Sequence, residues 1–440
     1  MQWTVPLFDV DYTEDEVQAV ADVVRSRRLL DGPHTAAFED EVRAFLECDH
    51  AILVNTGSAA LHLALRALDV GVRSQVLLPA ISHVMAAHAV LMCGAEPVFV
   101  DILHPENPTM DAEDAFTKAT HHTRAVIPLH YAGFACQLSA LKSLRAAPET
   151  GEERTNGGDE SRAPRERQPR ERRPRGRAAH EHDTDQDERP IVPLIENAGH
   201  AIGGRDPSGT ALGAAGRLGC FNFFINKQMT TGSGGLIVTN DQALADQIRL
   251  MRSQGITPPP AHAPAAQANS ARTPSSTTAQ QGFAGYDVAC LGYDYRPTEI
   301  TAALARVQLK KLPAMIERRA ALFALYHELL ADVEELVLPF HNPQNWGRPA
   351  CLFLPVLCSG PEARAELAGA LGEAGIQTDV HYRPIHTLRY FSSIVIKHKP
   401  ALPQSEAFAR RVLSLPLHSR MTEHDVYFVV KTIKEALVRA

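Results

Sequence analysis

The feature that most constrains this chain is an alternation, through its first half, of short apolar or β-branched runs with stretches of helical period. Strands are predicted at 51–54, 75–78, 97–100, 125–129, 191–195, 219–224 and 236–239. Helices are predicted at 14–27, 35–46, 58–68, 83–92 and 242–252. Strands separated by helices pair in parallel, so the pattern predicts an α/β fold with a mostly parallel sheet covered on both faces. In such sheets ligands gather at the carboxyl ends of the strands. The polar motifs singled out below fall just after predicted strands.

Two stretches break the pattern. Residues 147–190 are almost devoid of large apolar side chains, with an arginine-rich middle and an acidic end. Interleaved Glu and following Asp argue against a nucleic-acid tail and for a solvated, disordered insertion. Residues 257–281 are rich in Pro, Ala, Ser and Thr and read as a second flexible loop. From Pro297 a long helical pattern leads into strand and helix signals at 351–357, 362–374, 376–381 and 405–412, then an amphipathic helix at 423–438. The expected division is a large α/β domain over 1–300 and a small C-terminal domain over 301–440.

Composition narrows the class of protein. With 440 residues, 45% of them hydrophobic, the chain can bury a large core. A net charge of −7 gives no reason to expect nucleic acid or an anionic membrane as partner. The seven cysteines are scattered, with no CxxC pair, which is the usage of a reducing compartment without a zinc site or disulfide framework. The N-terminus lacks a basic-then-apolar run, and the most apolar stretch, 81–100, is broken by His83, His88, Gly94, Glu96 and Pro97. A soluble, cytoplasmic protein is expected.

Among residues that could do chemistry, Lys227 is the sharpest signal. It ends a strand amid Phe221, Phe223, Phe224 and Ile225, just before a glycine-rich turn. Desolvation there lowers a lysine's pKa and lets it form an imine with an aldehyde. A surface lysine with its stem on apolar neighbours fits the same segment. The stretch Asn55-Thr56-Gly57-Ser58 opens the helix at 58–68, where free N–H groups and hydroxyls suit a phosphate. Ser58 as a plain N-cap is the alternative. Glu196-Asn197-Ala198-Gly199-His200 and His83 also follow strand ends, where they could face a ligand or serve packing.

Taken together, the segments NTGSAALHLAL, LPAISHVMAAHAVLMCGAEPVFVDI, IPLHYAGFACQL, PLIENAGHAIGG, FNFFINKQMTTGSGGLIVTND, GYDYRPTEITAAL, VHYRPIH and VLSLPLHSRMT resemble, in order, the DegT/DnrJ/EryC1/StrS family of sugar aminotransferases. The resemblance covers nearly the whole chain outside the two insertions. It implies a fold-type-I (aspartate aminotransferase-like) enzyme, with a smaller C-terminal α+β domain, that uses pyridoxal 5′-phosphate as a homodimer. Lys227 matches the Schiff-base lysine, and Gly57 and Ser58 match the phosphate-binding turn. His83 falls where an aromatic residue usually stacks on the cofactor ring, and His200 matches the residue beside its phenolic oxygen. The GYDYR segment resembles the loop that reaches the phosphate from the other subunit. Tyr131, His381 and His386 match segments lining the substrate side, and surface or packing roles fit them equally.

Four positions depart from the family pattern. Asn197 stands for the Asp that bonds the pyridine nitrogen, Asn222 for a Ser near the phosphate, Asp294 for an Asn in the cross-subunit loop, and Ser233 for a Glu in the glycine-rich turn. A carboxylate keeps the ring nitrogen protonated so that the ring can absorb electrons, and a neutral Asn supports that form far less. The expected activity is transfer of an amino group from an amino acid such as glutamate to a keto sugar, nucleotide-linked. Alternatives are a cofactor-binding protein with little turnover, regulatory or a complex partner, and a sugar dehydratase. The dehydratases of this family carry His in place of the lysine, so Lys227 argues against the last.

Overall fold

The computed structural model describes residues 3–147, 189–257, 286–341, 343–395 and 400–439. In chain order the first part contains α1 (Glu14–Ser26), α2 (Pro33–Leu46), β1 (His50–Val54), α3 (Gly57–Ala67), β2 (Gln75–Pro79), α4 (Met85–Met92) and β3 (Glu96–Val100). A hairpin of β4 (Ile102–His104) and β5 (Asn107–Met110) follows, then α5 (Ala112–Lys118), β6 (Thr123–Val126) and the single turn α6 (Leu138–Leu141). Next come β7 (Ile195–Asn197), β8 (Leu218–Asn222), β9 (Gly235–Thr239), α7 (Gln242–Arg252), and the short pair β10 (Ile256–Thr257) and β11 (Asp287–Val288). The long α8 (Glu299–Leu329) leads to β12 (Leu354–Leu357), α9 (Pro361–Glu373), α10 (Pro403–Arg411), β13 (Val412–Leu415) and α11 (Glu423–Arg439).

Two ladders, β3-β2-β6 and β7-β8-β9-β1, are joined by parallel bridges at Val126–Leu194 and Leu129–Asn197. Among the described residues, only β9 runs antiparallel to its neighbours in this sheet. Its strands are apolar on both faces because helices cover both. Successive side chains alternate: Ile52, Val54, Cys220 and Ile237 pack with α3, α4 and α7, while Ala51, Leu53, Phe221, Leu236 and Val238 pack with α2 and the first half of α8. Past Ile316, Leu322, Phe323 and Tyr326 of α8 enter a different core, shared with β12, β13, α9 and α11. No helix among the described residues is long and apolar enough to cross a membrane.

Several sequence expectations need correction. The strand predicted at 376–381 is not one. It makes only single bridges, Val5–Ile376 and Asp379–Ser414, because its end turns aside to line a cavity. The helix predicted over 405–412 stops at Arg411, and β13, which was not foreseen, begins at Val412 and pairs antiparallel with β12. The predicted strand 191–195 is represented by isolated bridges until β7 starts at Ile195. The β4–β5 hairpin was also unforeseen. The disordered insertions expected at 147–190 and 257–281 lie, apart from their edges, outside the described residues.

Candidate active site

The ends of β1, β2, β7 and β8 open on one cavity of about 550 Å³. Gly57, Ser58, His83, Asn197, His200, Asn222, Lys227, Ser233 and His381 all line it, so nine of the twelve residues that the resemblance singled out meet there. The opposite wall is Asp379, Val380, His381 and Tyr382.

One end of the cavity is the start of α3. Thr56 is its N-cap and accepts the Ala59 N–H on its side chain at 3.0 Å. The first amides of a helix have no acceptor within it, and the helix dipole makes that end attractive to an anion. Gly57 is required sterically: a Cβ there would lie 2.8 Å from Cβ and Cγ of Asn222. Gly235 is required for the same reason, since its Cβ would lie 2.2 Å from the Thr56 carbonyl oxygen. Asn222 accepts the Phe224 N–H on Oδ1 at 3.1 Å.

Lys227 sits in the tight loop that connects β8 to antiparallel β9. The loop closes on itself through Phe223 N–H to Gly234 O (2.9 Å), Thr231 N–H to Phe223 O (3.0 Å) and Lys227 N–H to Phe224 O (3.0 Å). Among the described residues the Lys227 side chain has no acidic partner, and burial pushes its amine down to about 7. Its positive form in turn depresses the neighbouring imidazoles. His83 and His200 are held below the ordinary histidine value by burial first and by Lys227 second. His381 is pushed down to about 4, mainly by burial.

The floor is Asn197, at the end of β7, and His200 just beyond it, 2% and 3% exposed. Asn197 Oδ1 accepts the Gly199 N–H at 3.3 Å. His200 Nε2 is hydrogen-bonded to the Tyr382 hydroxyl at 2.8 Å, and its Nδ1 is buried without a partner. Asn226 Oδ1, also in the lining, is likewise buried and unpartnered. Tyr382 meets the His83 ring edge-on at 6.0 Å, so one phenol ties the floor to the rim.

The match to known proteins is consistent along the chain. The model of the DegT/DnrJ/EryC1/StrS aminotransferase family matches residues 10–149 and 186–434. The chain belongs to that family. Solved structures similar to it include the aminotransferase TlmJ from Streptoalloteichus hindustanus, 26% identical over 99% of each chain, with a TM-score of 0.78. The sugar aminotransferase CalS13 from Micromonospora echinospora is 25% identical over 98% of this chain and 100% of its own, with a TM-score of 0.77. Spr1654 from Streptococcus pneumoniae, in its PLP form, is 21% identical over 98% of both chains with a TM-score of 0.78, a likeness of fold alone. The architecture is therefore the fold-type-I one that the sequence motifs implied.

Three residues expected at the site are not in this cavity. Tyr131 is fully buried behind the wall, and its hydroxyl donates to the His381 carbonyl. His386 is buried too, turned to Glu406 at 3.1 Å. Asp294 lies on an exposed loop with its carboxylate accepting from Arg296 Nε at 3.0 Å. Conversely, sequence reasoning passed over Asp379, Tyr382 and Asn226. Tyr382 adjoins His381 in the VHYRPIH segment and Asn226 precedes Lys227, so the motifs themselves carried the signal. Glu196, in the same motif as Asn197, points to the other face of β7. There it accepts from His130 Nε2 (2.8 Å) and from the amides of Gly213 (2.9 Å) and Gly216 (2.5 Å).

Proposed function

We propose that this chain is a pyridoxal-phosphate-dependent aminotransferase that moves an amino group from an amino acid, glutamate first among candidates, to a keto sugar carried on a nucleotide. The observation that carries the reading is Lys227: an amine lowered to about 7 by burial, free of any acidic partner among the described residues, lining the same cavity as the start of α3. Pyridoxal phosphate fits this set. A phosphate at the start of α3 would meet its first amides, and the unpartnered His200 Nδ1 and Asn226 Oδ1 are open to a polar ligand. The fold of Spr1654 accommodates the same cofactor.

When bound, the cofactor supplies an aldehyde that condenses with amines and a ring that takes up electron density. The protein's part is to hold it and to move protons. Gly57 and Ser58 would present N–H groups to the phosphate, with Asn222 beside them, while Asn197, His200 and His83 would hold the ring. A Lys227 amine near 7 is available both as the free base that attacks a carbonyl and as the ammonium that returns a proton. Tyr382, anchored on His200, and His381 close the far side against water. Sugar as acceptor is supported by the likeness to CalS13. The exposed loop carrying Asp294 is read as reaching the cavity of a second copy in a homodimer.

The test is the visible spectrum of the cofactor-loaded protein. A band that borohydride fixes on Lys227, and that bleaches on addition of L-glutamate, is expected. A covalent adduct retained by Lys227→Ala would overturn the assignment. Asn197 favours one other reading, a cofactor-binding member with little turnover, and a band indifferent to every amino donor would select it.

A further inference from the structure

The floor of the cavity is built without a formal charge. Asn197 is 2% exposed, and its Oδ1 is committed to the Gly199 N–H, which leaves the Nδ2 amide as the arm a ligand can reach. Rotating the amide to offer its oxygen would set its NH2 group against the Gly199 N–H, donor against donor. His200 is held neutral, with Nε2 on Tyr382. The carboxylates nearby cannot substitute. Glu196, next in sequence, lies on the opposite face of β7 with both oxygens used, and Asp379 is exposed at the rim, accepting the Val380 N–H at 2.7 Å.

We propose that Asn197 donates its amide N–H to the ring nitrogen of bound pyridoxal phosphate and thereby keeps that nitrogen unprotonated. The inference rests on the cofactor reading of this cavity. An N–H donor requires the nitrogen's lone pair, so protonation would both break the hydrogen bond and oppose two donors. It would also leave a buried cation with no counter-charge on the floor, which burial disfavours. The backbone amide of Gly199 thus selects the protonation state of a group it does not touch, through the orientation of one side-chain amide. A neutral ring is a weaker electron acceptor than a pyridinium, so this chain works with a less activating cofactor than a carboxylate floor would provide.

The experiment is ¹⁵N NMR of the full-length protein loaded with pyridoxal phosphate labelled at the ring nitrogen. Borohydride fixation of the label on Lys227 is checked first. If no label is fixed there, the cofactor reading falls and this inference with it. With the label in place, the wild type is expected to show the shift of a neutral pyridine across roughly pH 6–9, around the neutral range. Asn197→Asp should show the pyridinium shift over the same range, and Asn197→Ala a nitrogen that titrates. A pyridinium shift in the wild type at neutral pH overturns the proposal, whether or not the Asp variant folds. So does an Ala variant indistinguishable from the wild type at every pH.

Discussion

At the scale of single residues, the site depends on which groups are kept uncharged. Burial pushes the Lys227 amine down to about 7 in the folded chain, from an ordinary value of 10.5. Between those values the unfolded chain holds a proton that the folded one has released, so the residue's contribution to stability rises with pH across that window. For reactivity the corollary is that loading of the unliganded protein with pyridoxal phosphate should accelerate through about pH 7 and then level off. A rate still climbing towards pH 10.5, measured by stopped-flow absorbance, would show an ordinary lysine. Beneath the floor, Glu196 and His130 are both fully buried and hydrogen-bonded to each other. Glu196→Ala leaves His130 Nε2 and the Gly213 and Gly216 amides without acceptors. A loss of about 3–5 kcal/mol in urea unfolding is expected, as for other broken buried pairs.

At the scale of elements, the α3 start and the β8–β9 loop make the site by approaching too closely for side chains. Gly57→Ala sets a methyl 2.8 Å from Asn222, and Gly235→Ala sets one 2.2 Å from the Thr56 carbonyl. Overpacking of this kind costs about 1–3 kcal/mol. Both variants should melt earlier and, in calorimetric titration, bind the cofactor more weakly; unaltered binding in both would mean the cradle yields. These elements were legible in the sequence because each is local. A β-branched run followed by Asn-Thr-Gly-Ser states its own strand, turn and helix, and an apolar, aromatic run followed by Asn-Lys and paired glycines states a strand, a turn and a second strand. What was not legible depends on partners distant in the chain. Residues 376–381 have strand composition, yet their polar end is drawn to the cavity, and β13 becomes a strand only because β12 lies beside it. Tyr131 and His386 carry site-like side chains that tertiary packing buries elsewhere. Asp294, a departure read from its motif alone, has its carboxylate engaged by Arg296, two residues on.

At the scale of the whole molecule, contacts between segments distant in the chain hold the two walls of the cavity in register, among them the Tyr131 hydroxyl to the His381 carbonyl and the Ile385 N–H to the Ala80 carbonyl. Asp101, after β3, is 6% exposed and caps α10 from the far end of the chain, accepting the Ser405 N–H (2.7 Å), the Ser405 hydroxyl (2.6 Å) and the Gln404 N–H (3.0 Å). Asp101→Ala should lose about 2–3 kcal/mol, the scale of charged hydrogen bonds left unmade. It should also lower cofactor affinity, although Asp101 does not line the cavity; equilibrium dialysis at fixed temperature would check this. An unchanged affinity would mean that the walls are positioned independently. Arg319 of α8 acts similarly on the C-terminal side, donating through Nη1 to the carbonyls of Cys351 (3.2 Å), Leu352 (3.1 Å) and Leu417 (2.5 Å).

The split origin of the walls also has a consequence in time. Lys227 leaves the ribosome well before Asp379–Tyr382, and at about 5–20 residues per second the interval is on the order of ten seconds. β13, whose Ser414 bridges Asp379, is made later still. During synthesis, therefore, the lysine is hydrated, mostly protonated and slow towards the cell's free aldehydes. Its reactivity arrives with the last-made part of the chain, when the pocket that will choose its aldehyde closes around it.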